Sequence, residues 1–215
     1  MLTFTVEASP LPCLSSRRSP RASSSTEKDF ITVPKTYNSF APSTCICRAE
    51  VQEAPAQTES DANLFAIYQH HLCQRFPFVI PPPATSPAEF QTSRPFLFSC
   101  IKMVASFKNM QSMRAQMFLI MQRISDHMLM QSERSLDLLL GIIVILGWYQ
   151  NHCMIHAQMV NLISLATGLL ADMGLNRPPE IQERTNILVL NPDQPLPRTN
   201  EERRALLGVW FLSSS

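Results

Sequence analysis

The chain has 215 residues and a formal net charge of +1, so its overall charge gives no electrostatic reason to expect nucleic-acid binding. Glycine is scarce, with 5 residues, while proline is plentiful, with 17, and the prolines concentrate outside the strongly periodic segments. This distribution favours helices joined by proline-rich connections over a sheet, whose turns need glycine.

The first 60 residues are rich in Ser, Pro, Thr and Ala and have neither helical nor strand periodicity. This composition predicts a disordered tail over residues 1–60. Within it, Arg17, Arg18 and Arg21 surround the pair Ser19-Pro20. A solvated basic patch is the simpler interpretation, and a nuclear-import or phosphorylation segment is the alternative.

Three helices are predicted between residues 61 and 105. Apolar residues recur every four positions over residues 64–72, which predicts one amphipathic helix that ends before Pro77. The sequence SPAE at residues 86–89 is a capping box with proline at the first helical position, so a new helix begins there. Pro95 divides that helix, and the second piece runs to about Ala105.

Methionines dominate the next stretch, residues 103–130, which holds seven of the eleven in the chain. Apolar residues at heptad spacing predict one stripe along a long helix. Packing inside the domain is the simpler interpretation. The alternative is a partner-binding or small-molecule surface, because flexible thioethers repack around different shapes. The residues of this stripe are Met103, Met110, Met113, Met117, Ile120 and Ile124.

Residues 136–149 are apolar almost all round, which is typical of a central helix that is covered on every side. The segment is too short to cross a bilayer, which needs about 20 residues. The next predicted helix, about 156–173, carries Met159, Ile163, Ala166 and Leu170 on one face. We expect it to end at Gly174, in a left-handed cap.

The last predicted helix begins at a second capping box, TNEE at residues 199–202, and presents Ala205, Leu206, Val209 and Trp210. Capping and a solvated first turn account for the charged run 201–204. The alternative is an ion-pair network of that run with Asp172 and Arg177.

No motif of an enzyme is present: there is no nucleophile elbow, glycine-rich phosphate loop or pair of catalytic carboxylates. His152, Cys153 and His156 are the one candidate metal cluster, and they have no acidic residue beside them. Cys100 and Cys153 lie in apolar helical runs and are expected to be buried. The six cysteines do not have the spacing of a metal cluster. They are Cys13, Cys45, Cys47, Cys73, Cys100 and Cys153.

Four segments resemble the regulatory region of fungal binuclear zinc-cluster transcription factors. They are QRFPFVIPPPATSPAEFQTSRPFLFSCIKMVAS (74–106), RSLDLLLGIIVILGWYQNH (134–152), LATGLLADMGLNRPP (165–179) and RTNEERRALLGVWFLSS (198–214). Proteins of this family carry an N-terminal six-cysteine zinc cluster that reads DNA, and a helical regulatory domain follows it. The resemblance therefore implies transcription regulation in the nucleus, with transcription-factor subunits or co-regulators as partners and a possible homo- or heterodimer.

The resulting expectation is an all-α protein of about 6–7 helices, with a tail over residues 1–60 and a partial regulatory domain over 61–215 that is truncated at its C-terminus. We expect no enzyme activity, no membrane association and no cofactor in this chain, since zinc would belong to the absent cluster. DNA would be bound only through that cluster. The alternative is a helical protein-interaction or small-molecule-sensing module without DNA binding, as in a dominant-negative or adaptor-like paralogue.

Overall fold

The computed structural model describes residues 59–151, 158–177 and 198–214. All the described residues belong to one compact unit. They form seven α-helices and no strand, which confirms the expected all-α class. The predicted tail lies outside the described residues, apart from its last two positions. The helices are α1 (Asp61–Ile67), α2 (Pro87–Ser93), α3 (Pro95–Ala105), α4 (Met110–Ile124), α5 (Leu136–Gly147), α6 (Met159–Asp172) and α7 (Asn200–Ser214).

Short irregular turns extend three of these helices. Helix α1 continues into a π-helical turn at Tyr68–Leu72, and α4 continues into another at Ser125–Met130. A 3-10 turn, Tyr149–Asn151, follows α5. The helix predicted to end before Pro77 therefore ends at Leu72, and its last turn, from Tyr68 onward, is π-helical instead of α-helical.

Polar side chains begin the helices where the capping signals predicted. Ser86 accepts a hydrogen bond from the backbone N–H of Glu89 at 3.2 Å, and Pro87 occupies the first position of α2. Pro95 separates α2 from α3, as expected. At α7 the capping box is reciprocal, because Glu202 N–H donates to Thr199 Oγ1 at 3.2 Å and Thr199 N–H donates to the Glu202 carboxylate at 2.8 Å.

Helix α5 is the centre of the domain. All nine residues 138–146 are buried, which confirms the predicted central helix. It packs against α3, α6 and α7. Gly141 lets α3 approach closely, since a Cβ at that position would lie 2.4 Å from Cε1 of Phe96. Burying this many aliphatic side chains, each at about 1.5–3 kcal/mol before entropy is subtracted, makes α5 a large contributor to core stabilisation.

Aromatic side chains join α1, α2 and α3 at one end of the core. The ring of Phe65 lies 5.0 Å from that of Phe90 and 5.7 Å from that of Phe98, between centroids. The Tyr68 hydroxyl is buried and donates to the carbonyl of Val79 at 3.0 Å. Burial raises the pKa of Tyr68 well above its ordinary value, so this phenol stays a donor at physiological pH. The hydrogen bond therefore holds the loop after α1 against the core.

The long helix predicted over residues 103–130 is wrong in one respect, because the structure breaks it into α3 and α4. Ser106 ends α3, and its hydroxyl donates to the carbonyl of Lys102 at 2.6 Å. Asn109 then caps α4 by accepting from the N–H of Ser112 at 3.1 Å. Asparagine is one of the strongest N-cap residues, and here the local cap overrides the heptad pattern.

The predicted face of α6 is also corrected. Helix α6 buries Leu162, Ala166, Leu169 and Leu170, whereas Met159 is exposed. The buried set has the spacing i, i+4, i+7 and i+8 of one helix face. It shares Ala166 and Leu170 with the predicted set, so the buried face is turned from the predicted one by less than one residue step.

The predicted left-handed end of α6 is confirmed. Gly174 has a φ of 69°, and its N–H donates to the carbonyl of Ala171 at 3.0 Å. Leu175 N–H donates to the carbonyl of Leu170, also at 3.0 Å, and both leucine side chains are buried. These two bonds form a Schellman motif, which satisfies the last carbonyls of the helix and turns the chain towards α7.

Candidate functional site

The methionine stripe predicted as a possible partner surface lies largely in the core. Met103, Met113, Ile120 and Ile124 are buried, and Met110 and Met117 are partly buried against them. Their packing fits the simpler of the two interpretations. The partner-surface hypothesis for these residues stays a prediction, because a partner could reach most of the stripe only after α3 and α4 moved.

The candidate metal cluster His152, Cys153 and His156 lies outside the described residues. Within the described ranges, no group of three or more His, Cys, Asp and Glu side chains is placed to hold a metal ion. Cys100 is a buried free thiol, as expected, and Cys73 is a half-buried one. Burial raises the pKa of both thiols, so neither has the character of a reactive cysteine.

The outer face of α7 is the most prominent unassigned feature of the described surface. Leu207, Trp210 and Phe211 are 54%, 68% and 49% exposed. Their spacing of three and four residues places them on one side of the helix. The opposite side buries the small and aliphatic residues Ala205, Gly208, Val209 and Leu212.

Close backbone packing fixes the orientation of α7. A Cβ on Gly208 would lie 3.0 Å from Cβ of Phe78 and 3.3 Å from Cγ2 of Ile143. No larger residue than glycine fits there without a shift of these neighbours. Helix α7 therefore lies flat on α5 and on the segment around Phe78, and Leu207 and Trp210 point outward as a result.

Polar contacts hold the N-terminal end of α7 in register with the core. Arg94 and Glu201 form an ion pair with an N–O distance of 2.7 Å. Arg198 donates to the carbonyl of Gly174 at 3.0 Å and also to that of Arg177. Asp172 instead lies 3.4 Å from Arg134. The proposed network of residues 201–204 with Asp172 and Arg177 is therefore not the arrangement found.

Aromatic rings extend the exposed face of α7 onto the neighbouring loop. The Phe211 ring lies 5.4 Å from that of Phe78 and 6.4 Å from that of Phe76, between centroids. The rings of Phe76 and Phe78 are themselves 4.9 Å apart in an edge-on arrangement. Phe76 is itself buried, and we call the surface formed by Phe78, Leu207, Trp210 and Phe211 the aromatic patch.

Positive charge borders the aromatic patch. Arg203 is exposed one turn before Leu207, and Arg75 is exposed immediately before Phe76. Neither arginine, nor Arg204, forms an ion pair with any acidic residue in the described part of the chain. The acidic residues of α7 are already engaged, since Glu201 pairs with Arg94 and Glu202 caps the helix. A rigid aromatic surface with unneutralised arginines beside it is suited to binding rather than to catalysis.

One sequence signal could have located this surface. Ala205 and Gly208, three residues apart, mark where the backbone of α7 approaches a neighbour, and Val209 and Leu212 extend the same face. Leu207, Trp210 and Phe211 then fall on the other side by geometry alone. The charge pattern gave no equivalent indication, because the partner of Glu201 lies more than a hundred residues away in sequence.

No helix among the described residues has the length and apolar character needed to span a membrane. No family model matches the chain, and no solved structure matches it.

Three curated fungal proteins are similar to the chain. Transcription factor himD of Aspergillus japonicus is 30% identical over 159 residues, which are 73% of this chain and 26% of the relative. Transcription factor opdL of Penicillium oxalicum is 28% identical over 180 residues, 78% of this chain and 32% of the relative. A protein of Aspergillus terreus named transcription factor is 26% identical over 152 residues, 67% of this chain and 25% of the relative.

The chain thus spans between a quarter and a third of the length of these relatives. Its similarity to all three is to proteins named fungal transcription factors, and this supports a role in transcription regulation.

Proposed function

We propose that the chain acts in transcription regulation as part of the helical regulatory region of a fungal zinc-cluster transcription factor. The observation that carries the proposal is the similarity to three fungal proteins named transcription factors, over 67–78% of this chain. The region has no catalytic role. It mediates control by other proteins or by an effector molecule, which bind to its helical surface. Its place of action is the nucleus.

DNA binding belongs to the full-length protein in this proposal. The cysteines of this chain lack the spacing of a zinc cluster, and the net charge of +1 provides no general attraction to the phosphate backbone. The buried α5 core supplies a stable scaffold, and the aromatic patch with its arginines supplies a surface for control by another protein. The regulatory region and the DNA-reading region are therefore separate in function.

Tethering tests the proposal. The full chain is fused to a DNA-binding domain of an unrelated class, in a fungal host with a reporter gene downstream of the matching site. We expect reporter output to change several-fold, in either direction, relative to the DNA-binding domain alone. The control is a fusion carrying Leu140→Asp, which places a charge at a fully buried position of α5 and unfolds the core. Reporter output equal to that of the control would contradict the proposal.

A fluorescent fusion of the same chain tests where the protein acts. We expect nuclear fluorescence, and uniform cytoplasmic fluorescence would contradict the nuclear assignment.

The exposed aromatic patch favours one alternative function. In it, the chain is an adaptor-like or dominant-negative module that binds other transcription regulators and does not act at DNA. The untethered chain distinguishes the two functions. Under the alternative, its overexpression lowers the output of a full-length relative, and the tethered chain has no effect of its own.

A further inference from the structure

We propose that the aromatic patch is a docking site for an acidic amphipathic helix of a partner protein. The inference rests on the proposed function, because it names the partner chemistry for a surface of the regulatory region. Three properties of the patch lead to this partner: its shape, its rigid aromatic residues and the sign of the charge around it.

The shape of the patch matches the side of a helix. Leu207, Trp210 and Phe211 form a ridge along α7, and Phe78 lies beside Phe211 across the boundary with the loop. A helix laid along this ridge would bury its own apolar residues at spacings of three and four. Aromatic side chains lose little conformational entropy on binding, and tryptophan is the residue most enriched among interface anchors.

The charge around the patch selects an acidic partner. Arg203 and Arg75 are exposed, and no described carboxylate neutralises them. A partner with Asp and Glu beside its apolar stripe would place a carboxylate near Arg203, which lies one turn before Leu207 on the same helix. Charge complementarity of this kind speeds association and excludes neutral or basic helices, which have the same apolar spacing.

A second copy of this chain fits the patch less well. A parallel symmetric contact between two α7 helices would bring the Arg203 side chains of both copies together, where like charges repel. An antiparallel contact would place Arg203 beside the C-terminal end of the other helix, which carries no carboxylate side chain. An anionic lipid surface is also less suitable, because each arginine near a membrane contributes only about 1 kcal/mol and the patch has few of them. Both remain outcomes of the experiment below.

The probe is a synthetic amphipathic peptide of about 16 residues, with Leu and Phe at i, i+3, i+4 and i+7 and with Asp and Glu on the flanks. Binding to the purified full chain is measured by fluorescence anisotropy of the labelled peptide at low and physiological salt. A scrambled peptide of the same composition and a peptide with Lys in place of the acids are measured in parallel. We expect saturable binding of the acidic peptide alone, and weaker binding at higher salt.

Two sets of variants test the two parts of the site. Leu207→Ser with Trp210→Ser removes exposed apolar surface without opening the core, and we expect it to weaken binding at least about tenfold. Arg203→Glu with Arg75→Glu should weaken binding by at least the same factor and reverse its salt dependence, because the introduced carboxylates repel the acidic peptide. The matched control is Met130→Ser with Val160→Ser, whose side chains are 78% and 76% exposed but lie outside the patch. Its binding should equal that of the unsubstituted chain.

Several outcomes would overturn the inference. These are no binding of the acidic peptide, equal binding of the scrambled peptide, or equal loss in the control variant. Binding only to vesicles of phosphatidylcholine with roughly 30% phosphatidylserine would indicate a lipid surface instead. Concentration-dependent self-association that Trp210→Ser abolishes would indicate a second copy.

The tethering assay separates this inference from the proposed function. If the reporter responds to the tethered chain but the peptide does not bind, the regulatory function stands and the partner assignment fails. If the peptide binds through the patch but the reporter never responds, the partner assignment stands and the regulatory function fails.

Discussion

Substitution of Asp137 should destabilise the domain more than its partly exposed position suggests. Its two carboxylate oxygens accept hydrogen bonds from the backbone N–H groups of Phe96 at 2.9 Å and Leu97 at 3.0 Å. These amides belong to the first turn of α3, where no carbonyl of the same helix can accept from them. Arg94, at the N-cap of α3, makes no capping bond with its side chain. Asp137 therefore caps α3 from a different helix.

The magnitude follows from these two bonds. A hydrogen bond to a charged group contributes about 1.5–3 kcal/mol, and a carboxylate at a helix N-terminus also interacts favourably with the helix dipole. Because Asp137 is only half-buried, water can hydrogen-bond to the amides of Phe96 and Leu97 in the variant and offsets part of the lost stabilisation. We expect Asp137→Ala to lower the free energy of unfolding by about 2–4 kcal/mol. Asp137→Asn keeps the shape but only one acceptor oxygen, so its loss should be about half as large.

Urea denaturation followed by far-UV circular dichroism measures both variants. The matched control is Asp126→Ala, which removes an exposed carboxylate that makes no hydrogen bond to another described residue; its effect should stay within about 0.5 kcal/mol. At a typical 2–4 °C per kcal/mol, Asp137→Ala should also lower Tm by roughly 4–16 °C. The reasoning is refuted if Asp137→Ala costs no more than Asp126→Ala.

Two further variants test local conformation and pH dependence. Gly174→Ala places a side chain at a φ of 69° and should cost about 1–2 kcal/mol in urea denaturation; a neutral or stabilising effect would contradict the left-handed cap. Hydrogen bonds from Ser135 and from His127 lower the pKa of Glu133 below its ordinary 4.5. Since this pKa is lower in the folded state, the stabilisation is present above about pH 4.5 and is lost as pH falls. Glu133→Gln removes this titration, so between about pH 6 and 3 the Tm of the variant should fall less steeply than that of the unsubstituted chain. Equal slopes of Tm against pH would exclude the effect.

The sequence predicted the fold well wherever a local signal and the tertiary packing agree. The continuous apolar run of residues 136–149 predicted the buried α5, because a helix covered on all sides needs no orientation to be inferred. The capping box at Thr199 and the glycine at 174 predicted helix ends, since both signals act within one turn. The buried helix and the two helix ends depend on residues that are close together in the sequence, so the sequence alone predicts them.

Features that depend on distant residues could not be predicted. The capping role of Asp137 could not be predicted, because its two partners lie some forty residues earlier in the chain. The heptad-like methionine pattern suggested one long helix, whereas Asn109 starts a new one after the turn at Ser106. The orientation of α7 could not be predicted for the same reason, since it is set by contacts of Gly208 with Phe78 and Ile143.

The position of α5 has a consequence for how the protein is made. Its buried surface is covered by α3, which precedes it, and by α6 and α7, which follow it. During synthesis α5 therefore leaves the ribosome when α3 is present but α6 and α7 have not yet been made. Part of its apolar surface stays uncovered until Asn200–Ser214 has been translated. An apolar helix that waits in this way is a natural substrate for chaperones and a starting point for aggregation. The yield of folded protein should then depend on how quickly α7 follows α5, as well as on the final stability of the domain.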